Sequence, residues 1–295
     1  MRRGIIITGF LIVFIAIAGC TGNRASSSYS LDSKGILSVS CAPVTTSEEI
    51  LFKNETYTRT KVIMHTQRGE VVTYLAAPEH PRAAIVYVPG AGEKSAGHEE
   101  RMVRYAAEGY AFLFIDIRGN GGETPGSPFN PQRDYSLFEN GDWPQFYLTV
   151  CDLISAQQVL SGRFGVPVYA MGSSNGGRYA AVAAGIDPEF SGYVGISTSD
   201  WGVLDSAIQH GYSGNLIRFA TSLEPSRYFI KISPRPVWIF HTANDPIIPF
   251  DSGMQFFRDA TEPKTFIEFS GEHGINDDLD DRIIMQWAQI YATRE

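Results

Sequence analysis

The stretch that most constrains this chain is Gly172-Ser173-Ser174-Asn175-Gly176-Gly177, entered from an apolar run at Val166–Met171 and followed by a helical pattern at Asn175–Ala184. A Gly-x-Ser-x-Gly set between a buried strand and a helix predicts a sharp turn that lifts Ser174 above the end of a sheet. Bulky residues two positions away on either side would clash there, hence Gly172 and Gly176. The serine oxygen then sits at a helix N-terminus, where free N–H groups and the helix dipole favour a developing oxyanion.

Such a turn requires strands and helices in alternation. Strand-like runs occur at Lys61–Thr66, Glu70–Ala76, Ala83–Pro89, Tyr110–Ile117, Val166–Met171, Tyr193–Thr198, Pro236–Thr242 and Lys264–Phe269. Helical patterns lie at Glu99–Glu108, Trp143–Leu160, Asn175–Ala184, Ser252–Ala260 and Asp277–Ala292. The order predicts an α/β fold with about eight strands in a mostly parallel sheet, helices on both faces and an antiparallel hairpin at its start. Continuous apolar strands such as Ala-Ala-Ile-Val-Tyr-Val suit a sheet buried on both sides.

A serine hydroxyl is a weak nucleophile at neutral pH, so the turn calls for a histidine base and an acid to orient it. Asp245 stands in the loop after the Pro236–Thr242 run, and His273 in the loop before the last helix. Serine, aspartate and histidine in that chain order, with the serine on a strand-to-helix turn, resemble the α/β-hydrolase superfamily, particularly its dienelactone-hydrolase-like and serine-peptidase-like branches, over about residues 60–293. The resemblance implies Ser174 as nucleophile, His273 as general base and then acid, and Asp245 as the orienting carboxylate. It also implies an oxyanion hole formed by the backbone N–H groups of Asn175 and, in Val88-Pro89-Gly90-Ala91-Gly92, of Ala91, with Gly92 as the alternative. Many relatives carry His-Gly in that loop, whereas this chain has Pro89.

The remaining histidines, His65, His80, His98, His210 and His241, read as surface or structural. His98 follows the Gly90–Gly97 loop, but no acid is placed to orient it; His241 ends a strand and packs or caps. Glu272 adjoins His273 and ranks below Asp245, because adjacent side chains point apart. Asp116-Ile117-Arg118-Gly119-Asn120-Gly121-Gly122 resembles a turn common in the superfamily, with Asp116 and Arg118 bonding the loop over the site. It matches neither a Walker nor a dinucleotide pattern. Asn276-Asp277-Asp278-Leu279-Asp280-Asp281 lacks calcium-loop spacing and reads as a cap with acids at a helix start. No metal and no cofactor is expected.

The N-terminus carries a different message. Arg2 and Arg3 precede an apolar run from Ile5 to Ala18, shorter than a bilayer-spanning helix, and the run ends in Ile17-Ala18-Gly19-Cys20. That ending resembles the lipobox of bacterial lipoproteins and implies a signal peptide at residues 1–19 and a diacylglyceryl group on Cys20. The expected mature protein is anchored to the cell envelope outside the cytoplasm. Residues 20–47, rich in Ser, Thr, Gly and Asn, read as a flexible tether, with the hydrolase domain at 48–295. Cys41 and Cys151 either pair or stay buried. With 24 basic against 32 acidic residues and no basic run, nucleic acid is not an expected partner. The expected partner is a small acyl substrate.

Residues 199–235 fall where this fold places a cap. Trp201, Leu204, Ile208, Tyr212, Leu216, Ile217 and Phe219 are expected to form its apolar wall, with Phe129, Tyr135 and Trp143 facing it. A small apolar cap suits hydrolysis of a compact ester, with a peptidase or a non-catalytic binding lipoprotein of the same fold as alternatives.

Overall fold

Along the two central strands, alternate residues enter two different cores. Ala84, Val86 and Val88 join Leu113 and Ile115 in one, while Ala83, Ile85 and Tyr87 join Phe112 and Phe114 in the other. The two-residue repeat of a strand sends successive side chains to opposite faces, so a sheet with both faces covered needs an unbroken apolar sequence.

The computed structural model describes residues 26–292. Its strands are β1 (Ser28–Leu31), β2 (Leu37–Ser40), β3 (Thr45–Lys53), β4 (Thr58–Thr66), β5 (Gly69–Ala77), β6 (Ala83–Val88), β7 (Tyr110–Ile115), β8 (Val168–Ser173), β9 (Phe190–Ile196), β10 (Val237–His241) and β11 (Lys264–Glu268). The helices are α1 (Glu99–Ala107), α2 (Pro131–Glu139), α3 (Gln145–Phe164), α4 (Asn175–Ile186), α5 (Val203–Gln209), α6 (Asn215–Leu223), α7 (Phe229–Ile232), α8 (Phe250–Asp259) and α9 (Asp277–Ala292).

The main sheet has nine strands in the order β11-β10-β9-β8-β6-β7-β5-β4-β3. From β11 to β7 all neighbours are parallel, and β5, β4 and β3 continue antiparallel. Helices α3 and α4 cover one face; α1 and α9 cover the other. β6 lies between β7 and β8, so the chain leaves it in one direction and returns on its other side. The loops after β6 and β8 therefore open into one crevice at the carboxyl ends of the strands, where this class of sheet binds ligands.

The ninth strand, β3, lies outside the eight expected, because every residue of it is exposed and its sequence alternates poorly. The expected tether is also corrected: from residue 26 to residue 47 the chain is folded. β1 and β2 pair as a separate antiparallel hairpin, Ser28↔Ser40 to Leu31↔Leu37. The apolar residues of Ser-Tyr-Ser-Leu and Leu-Ser-Val-Ser occur at every second position, so half of this serine-rich stretch packs inward. Leu37 is fully buried and its N–H donates to Tyr228 Oη at 3.0 Å. Tyr29 packs against Trp143 and Tyr147, with centroids 5.1 Å away in each case. Cys41 and Cys151 form a disulfide, Cα atoms 5.7 Å apart, that fastens the segment to α3. The expected signal peptide and Cys20 lie outside the described residues.

Candidate active site

β8 ends at Ser173, and Ser174 turns the chain into α4 with φ 52° and ψ −122°. A positive φ is costly for a residue with a Cβ, so the surroundings must enforce it. Ser174 N–H donates to Ile196 O at 2.9 Å, and Ser174 O accepts from Thr198 Oγ1 at 2.8 Å and from Gly177 N at 3.1 Å. The flanking glycines are required by contact: a Cβ on Gly176 would lie 2.0 Å from Val88 O, and one on Gly172 2.4 Å from the Gly176 carbonyl. Elbow, α4 and β6 thus meet backbone to backbone. Ser174 is 9% exposed at this turn.

His273 lies in the loop between β11 and α9. Its Nδ1 contacts both Asp245 oxygens, at 2.9 and 2.8 Å. A carboxylate only accepts, so Nδ1 carries a proton, and in the neutral ring Nε2 is the nitrogen that holds the lone pair. Asp245 also accepts from the N–H groups of Ile247 at 2.9 Å and Ile248 at 2.8 Å. Burial pushes the Asp245 carboxyl up, but the Ile248 N–H, His273 and the Ile247 N–H outweigh it and hold the group below its ordinary value. The neighbouring loop residue Gly274 approaches the elbow, since a Cβ there would lie 3.7 Å from Ser173 Oγ. Ser174 and His273 share no hydrogen bond; such contacts are often long before substrate binds and tighten afterwards.

After β6 the chain turns through Gly90–Glu93. Gly90 N–H donates to Glu93 Oε2 at 2.9 Å, and Gly92 N–H donates to Asn120 Oδ1 at 2.8 Å. Gly92 is thereby committed. The N–H groups of Ala91 and Asn175 donate to no protein acceptor among the described residues.

His98 differs from expectation, because an acid does face it: its Nε2 lies 3.1 Å from Glu93 Oε2. It is still not placed as a base. Its Nδ1 meets Arg101 Nη1 at 2.6 Å, and a guanidinium only donates, so both ring nitrogens are engaged. Arg101 continues to Asp280 at 2.8 Å and to Ile275 O at 3.3 Å, which ties the loop after His273 to the loop after β6. His241 is fully buried, with Nε2 at 3.0 Å from Ile248 O and 3.6 Å from Asp245 Oδ2, and braces the acid loop. Glu272 is exposed.

Asp116 accepts from the N–H groups of Glu123 and Thr124, closing the turn as expected. Arg118 points the other way, to Asp152 of α3 at 2.6 Å and to Arg68 O at 2.9 Å. Asn276 caps α9, accepting from Leu279 N–H at 2.9 Å.

A sequence profile of the family described as serine aminopeptidase S33 matches residues 79–226, half of the chain. The chain belongs to this family of α/β hydrolases. No curated protein matches the sequence significantly. Among solved structures, the hydrolase resembles an acetyl xylan esterase from Paenibacillus sp. R4, with TM-score 0.66 and 16% identity over 84% of this chain and 88% of that one. Acetyl xylan esterase 1 from Thermoanaerobacterium sp. JW/SL YS485 is similar at TM-score 0.65 and 16% identity, over 84% and 87%. An acylaminoacyl peptidase from Pyrococcus horikoshii gives TM-score 0.58 and 16% identity, over 80% of this chain but 42% of that one.

The hydrolase's cap departs from the expected apolar wall. Phe219 is sunk into the core against Tyr135, Phe138 and Tyr147, whereas Ile208 and Tyr212 are 57% and 56% exposed on the outside. Trp143 packs on the N-terminal hairpin instead. Of the seven residues expected to form the wall, only Trp201 and Leu204 line the cleft of about 680 Å³ beside the cap, with Asp200, Asp205, Glu224 and Asp259, whereas Phe129 and Tyr135 face the cap as expected, packing on Trp201 and Phe219 with centroids 4.4 and 5.5 Å apart. Glu224 accepts from the N–H groups of Trp201, Gly202 and Leu204 and so shapes this rim; burial pushes its carboxyl up. Arg178 joins the rim to α4, bonding Ser199 O at 2.9 Å and Asn175 Oδ1 at 2.8 Å while lying 4.4 Å from the Trp201 ring.

Proposed function

We propose that the protein cleaves a small acyl ester through an acyl-enzyme. Ser174 Oγ attacks the acyl carbon as His273 Nε2 takes its proton; the same proton passes to the leaving alcohol, and water then attacks the acyl-enzyme with His273 again as base. Asp245 fixes the tautomer and offsets the charge that forms on His273. The Ala91 and Asn175 N–H groups receive the oxyanion. The observation that carries this reading is the juxtaposition at one crevice of a serine held at positive φ, two uncommitted N–H groups, one in the loop after β6 and one at the first residue of α4, and a histidine whose Nδ1 is anchored to a buried carboxylate.

A short polar ester is favoured over a long lipid chain because the cap turns Ile208 and Tyr212 outward and sinks Phe219 into the core, and the cleft beside it carries Asp200, Asp205, Glu224 and Asp259. Two of the similar structures are acetyl xylan esterases, matched over most of their length. The peptidase match leaves more than half of that chain without a counterpart. Peptide hydrolysis is the second reading, favoured by the family description. p-Nitrophenyl esters from acetate to palmitate, run beside aminoacyl p-nitroanilides, test the choice. The expected kcat/KM is highest at the short esters and falls beyond roughly eight carbons. A rise to palmitate contradicts it, and anilide cleavage without ester cleavage selects the peptidase.

The same reading places the enzyme outside the cytoplasm, held by a lipid on Cys20. The Cys41–Cys151 disulfide supports an oxidising compartment. Cys20→Ser is expected to lose lipid labelling and membrane retention; a labelled, retained variant contradicts the anchor.

A further inference from the structure

We propose that Asn120 is a positioning residue that makes Ala91 the oxyanion donor of the β6 loop, an inference that rests on the serine-hydrolase reading above. Asn120 Nδ2 donates to Gly90 O and to Glu93 O, both at 3.0 Å, while its Oδ1 accepts from Gly92 N–H at 2.8 Å. The whole amide is spent on one four-residue loop. Its orientation is fixed by its partners, since the flipped amide would set oxygen against two carbonyls and N–H against N–H.

No sheet ladder does this work. The pairing of β6 with β7 ends at Tyr87↔Phe114, and beyond it the two loops are joined through the Asn120 side chain. Glu93 holds the near side of the loop through Gly90 N–H. Between these two fastenings the N–H groups of Gly90 and Gly92 are both consumed, and the exposed Ala91 N–H is left.

Oxyanion stabilisation depends on donors aimed in advance at where charge develops, so losing the clamp acts on the transition state more than on substrate binding. Without Asn120, Gly92 N–H is released as a competing donor and the loop can turn Ala91 away. The effect is smaller than deleting a donor outright, which costs about 10²–10³ in kcat.

The test uses Asn120→Ala and Asn120→Asp with p-nitrophenyl acetate and a fluorophosphonate probe. Asn120→Ala is expected to lower kcat by about 10- to 100-fold with KM changed less than about threefold, and to slow probe labelling of Ser174 in parallel. Asn120→Asp has the same shape but turns both donors into acceptors facing carbonyls, so it is expected to be at least as slow. A residue that only filled space would leave Asn120→Asp near wild type. Wild-type kcat and labelling rate in either folded variant overturn the proposal alone. A wild-type protein that takes no label at Ser174 overturns the hydrolase reading and this proposal with it.

Discussion

Thr198 Oγ1 donates to the carbonyl oxygen of Ser174 at 2.8 Å, so the segment after β9 holds the peptide at which β8 turns into its helix. Thr198 is fully buried, and its Cγ2 and Oγ1 also fill the space beside Gly177, where a Cβ would lie 2.8 and 2.9 Å away. Thr198→Val keeps the shape and deletes the bond. Gly177 N–H still satisfies the Ser174 carbonyl, so the expected loss of stability is modest, about 1 kcal/mol, with kcat falling as the elbow loosens. Chemical denaturation beside esterase kinetics reads both, and unchanged kcat shows that the elbow holds without Thr198.

Gly176→Ala is expected to be far more severe than Gly97→Ala. The first Cβ would lie 2.0 Å from Val88 O and 2.5 Å from Pro89 O, whereas the second meets nothing within 4 Å. Backbone at that distance must move, which displaces β6 and its loop together with Ser174. Thermal denaturation and activity of the two variants compare them directly; equal behaviour contradicts the close approach.

The elbow and its partners were legible in the sequence because each announces itself locally: glycines at fixed offsets, strand runs, an aspartate and a histidine after successive strands. Asn120 was not, since its partners lie 27–30 positions away and an asparagine between glycines reads as turn chemistry. The Glu93–His98 contact was not legible because a separation of five residues across an irregular loop fixes no side-chain contact. The N-terminal hairpin was hidden by serine-rich composition, although its period-two apolar residues were visible. The cap was misread because hydrophobicity alone does not say whether Phe219 faces a ligand or a core.

The disulfide closes a loop between residues 110 positions apart, and the chain-entropy estimate for such a loop is roughly 4–5 kcal/mol. Cys41→Ser with Cys151→Ser is expected to lower the melting temperature markedly and leave the catalytic constants nearly intact, because neither residue touches the crevice. A protein of unchanged melting temperature contradicts the fastening role of the N-terminal segment.

Acid sensitivity follows from Asp245. Its folded-state pKa is depressed, so its stabilising contribution is present above the unfolded carboxyl value of about 3.9 and is lost as pH falls through the lower folded value. Asp245→Asn is expected to be less stable than wild type near pH 7, with the gap closing on acidification below about pH 4. A gap that stays constant to pH 2.5 contradicts the depression.

The most direct test of the account is covalent. Intact mass and peptide mapping after fluorophosphonate treatment are expected to place one adduct on Ser174 in the wild-type protein, with labelling lost in Ser174→Ala and slowed by orders of magnitude in His273→Ala. Labelling of another residue, or undiminished labelling of folded His273→Ala, would contradict it.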